Sequence, residues 1–299
     1  MATLYTHQSS NIAKTWALMT VFFLIIIALG WFLSVYMGNP MILWIAGGVS
    51  IVMNISAYWF SDKVAIASAA AHPAEGPEWL ELNRIVENLA ITAGLPKPRV
   101  YFINDPAPNA FATGRNPKNA AVAVTTGLIE KLNRSELEGV IAHELSHIGN
   151  RDILVMTVAV VLVGMVSMVA DFFLRMSFHG GGDRDNKAGA LLMVAGVIGV
   201  IVAPIAAQLL QLAVSRKREF LADASGALLT RYPEGLAGAL EKISAYGEPM
   251  HRASHATAHM FIANPFGSAE AGRFISKLFA THPPVGERLA ALRGVDTNA

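Results

Sequence analysis

Residues 16–60 read WALMTVFFLIIIALGWFLSVYMGNPMILWIAGGVSIVMNISAYWF and contain no charged side chain. They form two apolar runs, 16–36 and 41–60, on either side of the tetrapeptide Met-Gly-Asn-Pro. Each run has about the 20 residues that a helix needs to cross the hydrocarbon core of a bilayer. Glycine, asparagine and proline between the runs favour a turn, so we predict a hairpin of two membrane-spanning helices. The alternative for the first run is a cleaved signal peptide, but its apolar core is too long for one.

The composition of the whole chain agrees with a protein that lies partly in lipid. Hydrophobic residues make up 53% and charged residues 15% of the 299 positions, whereas soluble domains carry about 25% charged residues. The formal net charge of +1 gives no basic field for nucleic acid, so we expect no nucleic-acid partner. Cysteine is absent from the sequence, which excludes disulfides, thiolate metal sites and a cysteine nucleophile.

Two more apolar runs, 153–170 and 188–215, lie in the second half of the chain. We predict that they form a second pair of membrane spans, and a buried core hairpin is the alternative. The regions around them have ordinary polar patterns. The pattern predicts an amphipathic helix over 78–93, strands at 99–103, 111–113 and 121–125, and a helix that begins with a capping box of Ser135 and Glu138.

The motif with the clearest chemistry is His143-Glu144-Leu145-Ser146-His147, an H-E-x-x-H sequence inside that last helix. Residues four apart lie on nearly the same face of a helix, so both imidazoles can bind one metal ion. Glu144 lies beside them and can take a proton from an attacking water. The pattern is typical of zinc hydrolases, and without cysteine the remaining zinc ligand must be a histidine or a carboxylate.

The third ligand does not follow the motif directly, because Ile153 stands where a further histidine would be expected. The best candidate is Glu219, and Asp223 lies one helical turn after it. One of these carboxylates could bind zinc while the other orients a ligand histidine through its second ring nitrogen. If both intervening apolar runs cross the membrane, the chain returns to the side that it left. His147 and Glu219 would then meet near the lipid boundary.

The sequence resembles the HtpX family of membrane-bound zinc metalloproteases, which is related to the CAAX prenyl proteases. The resemblance covers nearly the whole chain and follows the order of the motifs. They are the two-span N-terminal segment, Asn109-Ala110-Phe111-Ala112-Thr113-Gly114, HELSH with Asn150-Arg151-Asp152, the second apolar pair, Glu219-Phe220-Leu221-Ala222-Asp223, and Thr281-His282-Pro283-Pro284 with Arg288.

The resemblance implies one zinc ion per chain, bound by His143, His147 and Glu219, with Glu144 as general base. It also implies that Asp223 and Arg288 support the ligands and that His282 could stabilise the developing oxyanion. A strand beside the metal, formed by Asn109, Ala110, Phe111 and Ala112, could pair with an extended substrate. The substrates that the resemblance implies are unfolded or misfolded proteins, including damaged membrane proteins. The implied role is membrane protein quality control in the stress response.

The predicted fold is a mainly α-helical membrane protein with a zincin-like α+β catalytic domain and four transmembrane helices. Basic residues near the ends of the apolar runs favour a cytoplasmic catalytic domain, and the resemblance implies a bacterial inner membrane. The predicted parts of the chain are a two-span anchor at 1–61, the first catalytic part at 62–152, a second transmembrane pair at 153–215 and the second catalytic part at 216–299.

Two other functions fit parts of the pattern. An intramembrane-cleaving zinc protease would have its H-E-x-x-H motif within an apolar span, whereas this helix carries several charges. A non-catalytic zinc-binding membrane scaffold has no need for Glu144 beside the metal. His251, His255 and His259 follow one another at helical spacing and could form a second metal site, but no carboxylate completes the set, and a polar helix face is the simpler interpretation.

Overall fold

The structure is a computed structural model, which describes residues 4–159, 161–162, 196, 216–251, 258–267 and 283–294. It begins with two long helices, α1 (Leu4–Tyr36) and α2 (Met41–Ser68). In the described ranges these are the two helices long and apolar enough to cross a membrane, as the sequence predicted. The other two predicted spans lie outside the described residues, except for residue 196 and the start of the third.

Helix α2 is longer than its apolar run and continues through the predicted boundary at 61/62 without a break. The reason is packing, because Ala65 near its end and Ala69 just after it are buried against one face of a β-sheet. Arg99 at the start of a sheet strand also forms an ion pair of 2.5 Å with Asp62. The last two turns of α2 therefore belong to the α+β part of the molecule.

The α+β part contains four strands and six helices in the described ranges. The strands are β1 (His72–Pro73), β2 (Arg99–Ile103), β3 (Ala110–Gly114) and β4 (Ala120–Thr125). The helices are α3 (Leu80–Thr92), α4 (Thr126–Lys131), α5 (Arg134–Gly149), α6 (Arg216–Thr230), α7 (Pro233–Ala245) and α8 (Val285–Arg293). The predicted helix and three predicted strands before α4 are confirmed, with shifts of a residue or two at their ends.

The strand order in the sheet is β1-β2-β4-β3, so β3 lies at one edge. Strands β2 and β4 are parallel, while β3 runs antiparallel to β4 with Phe111 opposite Ala123. Side chains of β3 and β4 alternate between two apolar clusters, as the period of two requires. One cluster joins the sheet to α3, α5, α6 and α7. The other joins it to the end of α2 and to residues around Phe261.

Helix α5 begins two residues earlier than the sequence predicted. Its N-cap is Asn133, whose side chain accepts from the backbone N–H of Glu136, while Glu136 accepts from the backbone N–H of Asn133. The predicted box of Ser135 and Glu138 is therefore wrong by half a turn. Glu136 also pairs with Lys242 of α7 at 2.7 Å, an interaction that favours the earlier start.

After α5 the chain turns and enters another helical segment, residues 152–159. Leu154, Val155 and Val158 of this segment pack into an apolar cluster with α1 and α2. The end of α5 therefore lies where the membrane hairpin meets the α+β part. This position brings the H-E-x-x-H motif close to the start of α1.

Candidate metal centre

His143 and His147 lie one turn apart on α5, and both side chains are buried. Their Nε2 atoms approach to 3.2 Å. Two ring nitrogens this close need either a proton or a cation between them, because two lone pairs repel each other. The helix therefore presents two convergent imidazole donors, as the motif spacing predicted.

Glu219 completes a three-residue group from the first turn of α6. Its carboxylate oxygens lie 3.8 Å from His143 Nε2 and 3.6 Å from His147 Nε2. Helix α6 comes this close because Gly226 faces the backbone of α5. A Cβ atom at position 226 would lie only 3.0 Å from the backbone nitrogen of His143.

The three side chains fit a divalent metal ion. One ligand atom from each lies within 4.8 Å of the others. Tetrahedral coordination by nitrogen and oxygen at ordinary zinc distances gives donor separations of about 3.3 Å. The observed separations are 3.2–3.8 Å. Small rotations of the three side chains would bring them to this value.

Both histidines contact a carboxylate through their other ring nitrogen. Asp223 Oδ1 lies 2.9 Å from His143 Nδ1, and Asp152 Oδ2 lies 3.1 Å from His147 Nδ1. A carboxylate at Nδ1 favours the tautomer with its proton there, which leaves the Nε2 lone pair free for a metal. Asp223 was predicted as a supporting residue from the sequence, whereas Asp152 was not.

Arg288 of α8 fixes the Asp223 carboxylate from the other side. Its Nε donates to Oδ2 at 2.8 Å and its Nη2 donates to Oδ1 at 2.6 Å. This bidentate pair is almost inaccessible to solvent, with both residues 1% exposed. Although burial alone would raise it, Arg288 and His143 hold the pKa of Asp223 below its usual value.

Glu144 is buried between the two histidines and the sheet. The backbone N–H of Ala112 in β3 lies beside its carboxylate and acts to lower its pKa. Burial and the nearby Glu219 carboxylate raise the pKa of Glu144 to about 7. A carboxylate with this pKa can both accept and return a proton near neutral pH.

The protein groups around the histidines favour positive charge at one of them. Burial lowers the pKa of His143. Burial acts in the same sense on His147, but Asp152 and Glu219 outweigh it and raise the pKa of His147 to about 9. A divalent cation would supply the positive charge that these carboxylates stabilise.

The predicted substrate strand coincides with β3, and part of its outer edge is already paired. The Ala110 carbonyl accepts from Ile262 N–H at 2.9 Å. The Asn109 side chain exchanges hydrogen bonds of 3.0 and 3.2 Å with the backbone of Ala263. Phe111 points to the face away from α5, where it contacts Phe261 edge to face. The edge next to Glu144 therefore begins at Ala112.

Two other sets of predicted residues lie away from this group or beyond the described ranges. His282 lies outside the described residues, as do His255 and the side chain of His259. His251 is exposed and lines a cavity of about 260 Å³ with His72 and Asp105. The structure therefore brings together the predicted ligands, the predicted base, Asp223, Arg288 and the strand.

Sequence reasoning did not identify the polar residues around Asp152. Asn11 of α1 donates to Asp152 Oδ1 at 2.8 Å, and Arg218 Nη1 lies 3.7 Å from the same oxygen. Arg151 has a φ of +62°, which reverses the chain after α5 and returns Asp152 to His147. The one signal in the sequence is the carboxylate just past the helix end, five residues after the second ligand histidine.

The sequence is similar to a family of peptidases and to proteins named as proteases. The sequence matches Peptidase family M48 over residues 78–296. A "Protease HtpX homolog" of Caldanaerobacter subterraneus subsp. tengcongensis is 47% identical over 300 residues, which cover 98% of each chain. One of Pyrococcus furiosus is 47% identical over 253 residues, 84% of this chain and 86% of the relative.

A solved structure shares the fold of this chain. It is the crystal structure of S. mikatae Ste24p, with a TM-score of 0.51 and 17% sequence identity. The match covers 96% of this chain and 67% of that one. The likeness extends over the helical hairpin as well as the α+β part.

Proposed function

Because the chain belongs to Peptidase family M48 and is a membrane-associated metalloprotease, we propose that it is a zinc-dependent endopeptidase with one zinc ion per chain. The observation that carries the proposal is the convergence of three donor atoms, from His143, His147 and Glu219, beside the buried Glu144. Two imidazoles and one carboxylate form the donor set of catalytic zinc sites that keep a fourth position open.

Each residue of the site has a defined part in peptide hydrolysis. A zinc ion held by the three ligands would polarise the scissile carbonyl and make water more acidic. Glu144 takes a proton from the attacking water and passes it to the leaving amine. Burial raises the pKa of Glu144, which favours the return of the proton, and the Ala112 N–H lies beside the carboxylate. Asp223 and Asp152 keep the ligand histidines in one tautomer, while His282 is the proposed oxyanion donor.

The substrate is proposed to bind as an extended strand along the outer edge of β3. The register with β4 directs the main-chain groups of Ala112 and Gly114 away from the sheet. A substrate that pairs there would pass Glu144, because the Ala112 N–H lies beside the Glu144 carboxylate. The start of this edge is not open to the substrate, because Asn109, Ala110 and Phe111 contact residues 261–263 there.

The metal centre lies close to the membrane hairpin, and this position favours substrates that are themselves in or next to the membrane. We propose that unfolded or damaged membrane proteins and their cytoplasmic segments are cleaved, in membrane protein quality control. The positive-inside rule supports a cytoplasmic catalytic domain, and the family resemblance is the ground for proposing a bacterial inner membrane. In this arrangement the parts at 62–152 and 216–299 form one catalytic domain, and the part at 153–215 provides two further spans.

The test compares the full-length protein in detergent with its Glu144→Gln variant on an unfolded protein substrate. Both proteins are loaded with zinc, and their metal content is measured by mass spectrometry. We expect one zinc per chain in each, and cleavage by the parent at least about 10²-fold faster than by the variant. Equal cleavage rates would contradict the role of Glu144. One zinc in each protein without cleavage by the parent would instead favour a scaffold.

A further inference from the structure

Asn11 lies in the first helix of the chain, yet it contacts the metal centre. Its side chain is 4% exposed. The Nδ2 atom donates to Asp152 Oδ1 at 2.8 Å and to the Asn150 carbonyl at 3.0 Å. These contacts join residues about 140 positions apart in the sequence. A hydrogen bond to a charged carboxylate is stronger than one between neutral groups. The bond from Asn11 to Asp152 is therefore a strong link between α1 and the metal centre.

The surroundings of Asn11 define the orientation of its amide group. Both acceptors, the Asp152 carboxylate and the Asn150 carbonyl, lie on the Nδ2 side. The Oδ1 atom faces a donor, Arg218 Nη1, at 3.4 Å. A flipped amide would place its oxygen against two acceptors, which the hydrogen-bond pattern disfavours. Asn11 therefore acts as a donor toward the metal centre.

The two oxygens of Asp152 have separate partners. Oδ2 contacts His147 Nδ1 at 3.1 Å, and Oδ1 accepts from Asn11. With one oxygen held, the carboxylate cannot rotate away from the histidine without losing a charged hydrogen bond. Asn11 also holds the carbonyl of Asn150, which precedes the left-handed residue Arg151. The contact thus fixes both the carboxylate and the turn that presents it.

We propose that Asn11 is a positioning residue for the metal centre, which acts through Asp152 on the ligand His147. The first membrane helix is then a working part of the active site and not only an anchor. This inference rests on the metal centre of the proposed function. It adds that metal affinity depends on a residue of α1, three positions before Lys14, the last charged residue ahead of the first apolar run.

The experiment uses the full-length protein in detergent and the variant Asn11→Leu. The matched control is Asn54→Leu in α2, because among the residues that the structure describes Asn54 donates within its own helix, to the Ser50 carbonyl at 2.9 Å. The measurements are zinc retention against a competing chelator and the visible absorption of the cobalt-loaded proteins. Changes to groups that orient metal ligands cost about 10- to 100-fold in affinity. We expect a loss of about three- to tenfold for Asn11→Leu, because it acts one step further away, together with an altered cobalt spectrum.

A second pair of variants separates positioning from folding. Asn11→Asp keeps the shape of the side chain but replaces the donor by an acceptor, so it should also weaken zinc binding. In an Asp152→Ala background, Asn11→Leu should have no further effect on zinc affinity. The inference is overturned if Asn11→Leu and Asn11→Asp match Asn54→Leu, or if the loss persists undiminished without Asp152. A parent protein that binds no zinc would overturn the proposed function itself.

Discussion

The buried pair of Arg288 and Asp223 offers a quantitative test of how the metal centre is supported. The substitution Arg288→Met keeps most of the side-chain length and removes the charge. It deletes both donor contacts to Asp223, at 2.8 and 2.6 Å. Asp223, which is 1% exposed in the parent, then keeps His143 as its remaining charged or polar contact in the described part of the chain. The variant therefore leaves a carboxylate buried without its cation.

The size of the effect follows from that orphaned charge. Removing one partner of a buried ion pair costs about 3–5 kcal/mol. Most domains are stable by about 5–15 kcal/mol, so the loss is a large share of the total. For a protein of this size, each kcal/mol shifts the melting temperature by about 2–4 °C. We expect the melting temperature of Arg288→Met to fall by about 6–20 °C. Because Asp223 orients His143, zinc affinity should fall by about 10- to 100-fold.

The assay combines thermal unfolding of the detergent-solubilised protein with zinc competition by a chelator. Arg293→Met is the matched control on the same helix. Arg293 pairs with Glu234 at 3.3 Å and Glu241 at 2.8 Å, and all three side chains are about half exposed. Exposed pairs contribute about 0–1 kcal/mol, so the control should change neither measurement by much.

A double variant identifies the origin of the cost. Replacing both members of a buried pair by apolar residues is often neutral, because no charge is left unpaired. Arg288→Met with Asp223→Leu should therefore recover most of the melting temperature but not the zinc affinity. If the double variant unfolds at a lower temperature than Arg288→Met, the assignment of the cost to the orphaned carboxylate is refuted.

Three further predictions test the packing, the pH dependence and the helix start. Gly226→Ala should destabilise the protein by about 1–3 kcal/mol and weaken zinc binding, because its Cβ would lie 3.0 Å from the backbone nitrogen of His143. Gly286→Ala is the control and should do neither, because its Cβ would meet no described atom within 4 Å. The depressed pKa of Asp223 means that its contribution to stability is present above the ordinary carboxyl pKa of about 4 and is lost as the pH falls through its folded value. Acid unfolding followed from pH 5 to 2 should therefore be less steep in the double variant without Asp223, and an unchanged profile would contradict this. Asn133→Ala should lower the free energy of unfolding by about 1 kcal/mol without changing zinc affinity, as measured in the same two assays.

The two histidine ligands were accessible from the sequence because their spacing is local. His143 and His147 must share a face of any helix that contains them. Glu219 lies far along the chain, so the residues themselves gave it only as the better of two candidate carboxylates, and its assignment as a ligand came from the family resemblance. The sheet strands were equally local, since the short runs at 111–113 and 121–125 on either side of a polar turn predict two strands.

The start of α5 could not be decided from local pattern alone. Asn133 with Glu136 and Ser135 with Glu138 both fit the spacing of a capping box. The contact that favours the first pair is the 2.7 Å ion pair of Glu136 with Lys242. That partner lies 106 residues away, so no window around the helix contains the deciding information.

The supporting residues Asp152 and Asn11 were hidden for a related reason. Asp152 lies past the helix end and reaches His147 only because Arg151 adopts a left-handed conformation. Asn11 precedes a run that looks like a membrane anchor, and nothing nearby indicates a contact with residue 152. Both roles come from tertiary structure, which a single sequence records only indirectly.

The length of α2 links the enzyme mechanically to the bilayer. At 1.5 Å per residue its 28 residues extend about 42 Å, whereas the hydrocarbon core is about 30 Å thick. About 12 Å of the helix therefore extends beyond the hydrocarbon core, and this end packs on the sheet that contains β3. Since no hinge separates the two parts of this helix, a thinner or thicker bilayer that tilts the helix also tilts the sheet. If β3 is the substrate edge, as proposed, lipid composition then changes the angle at which a polypeptide meets that edge.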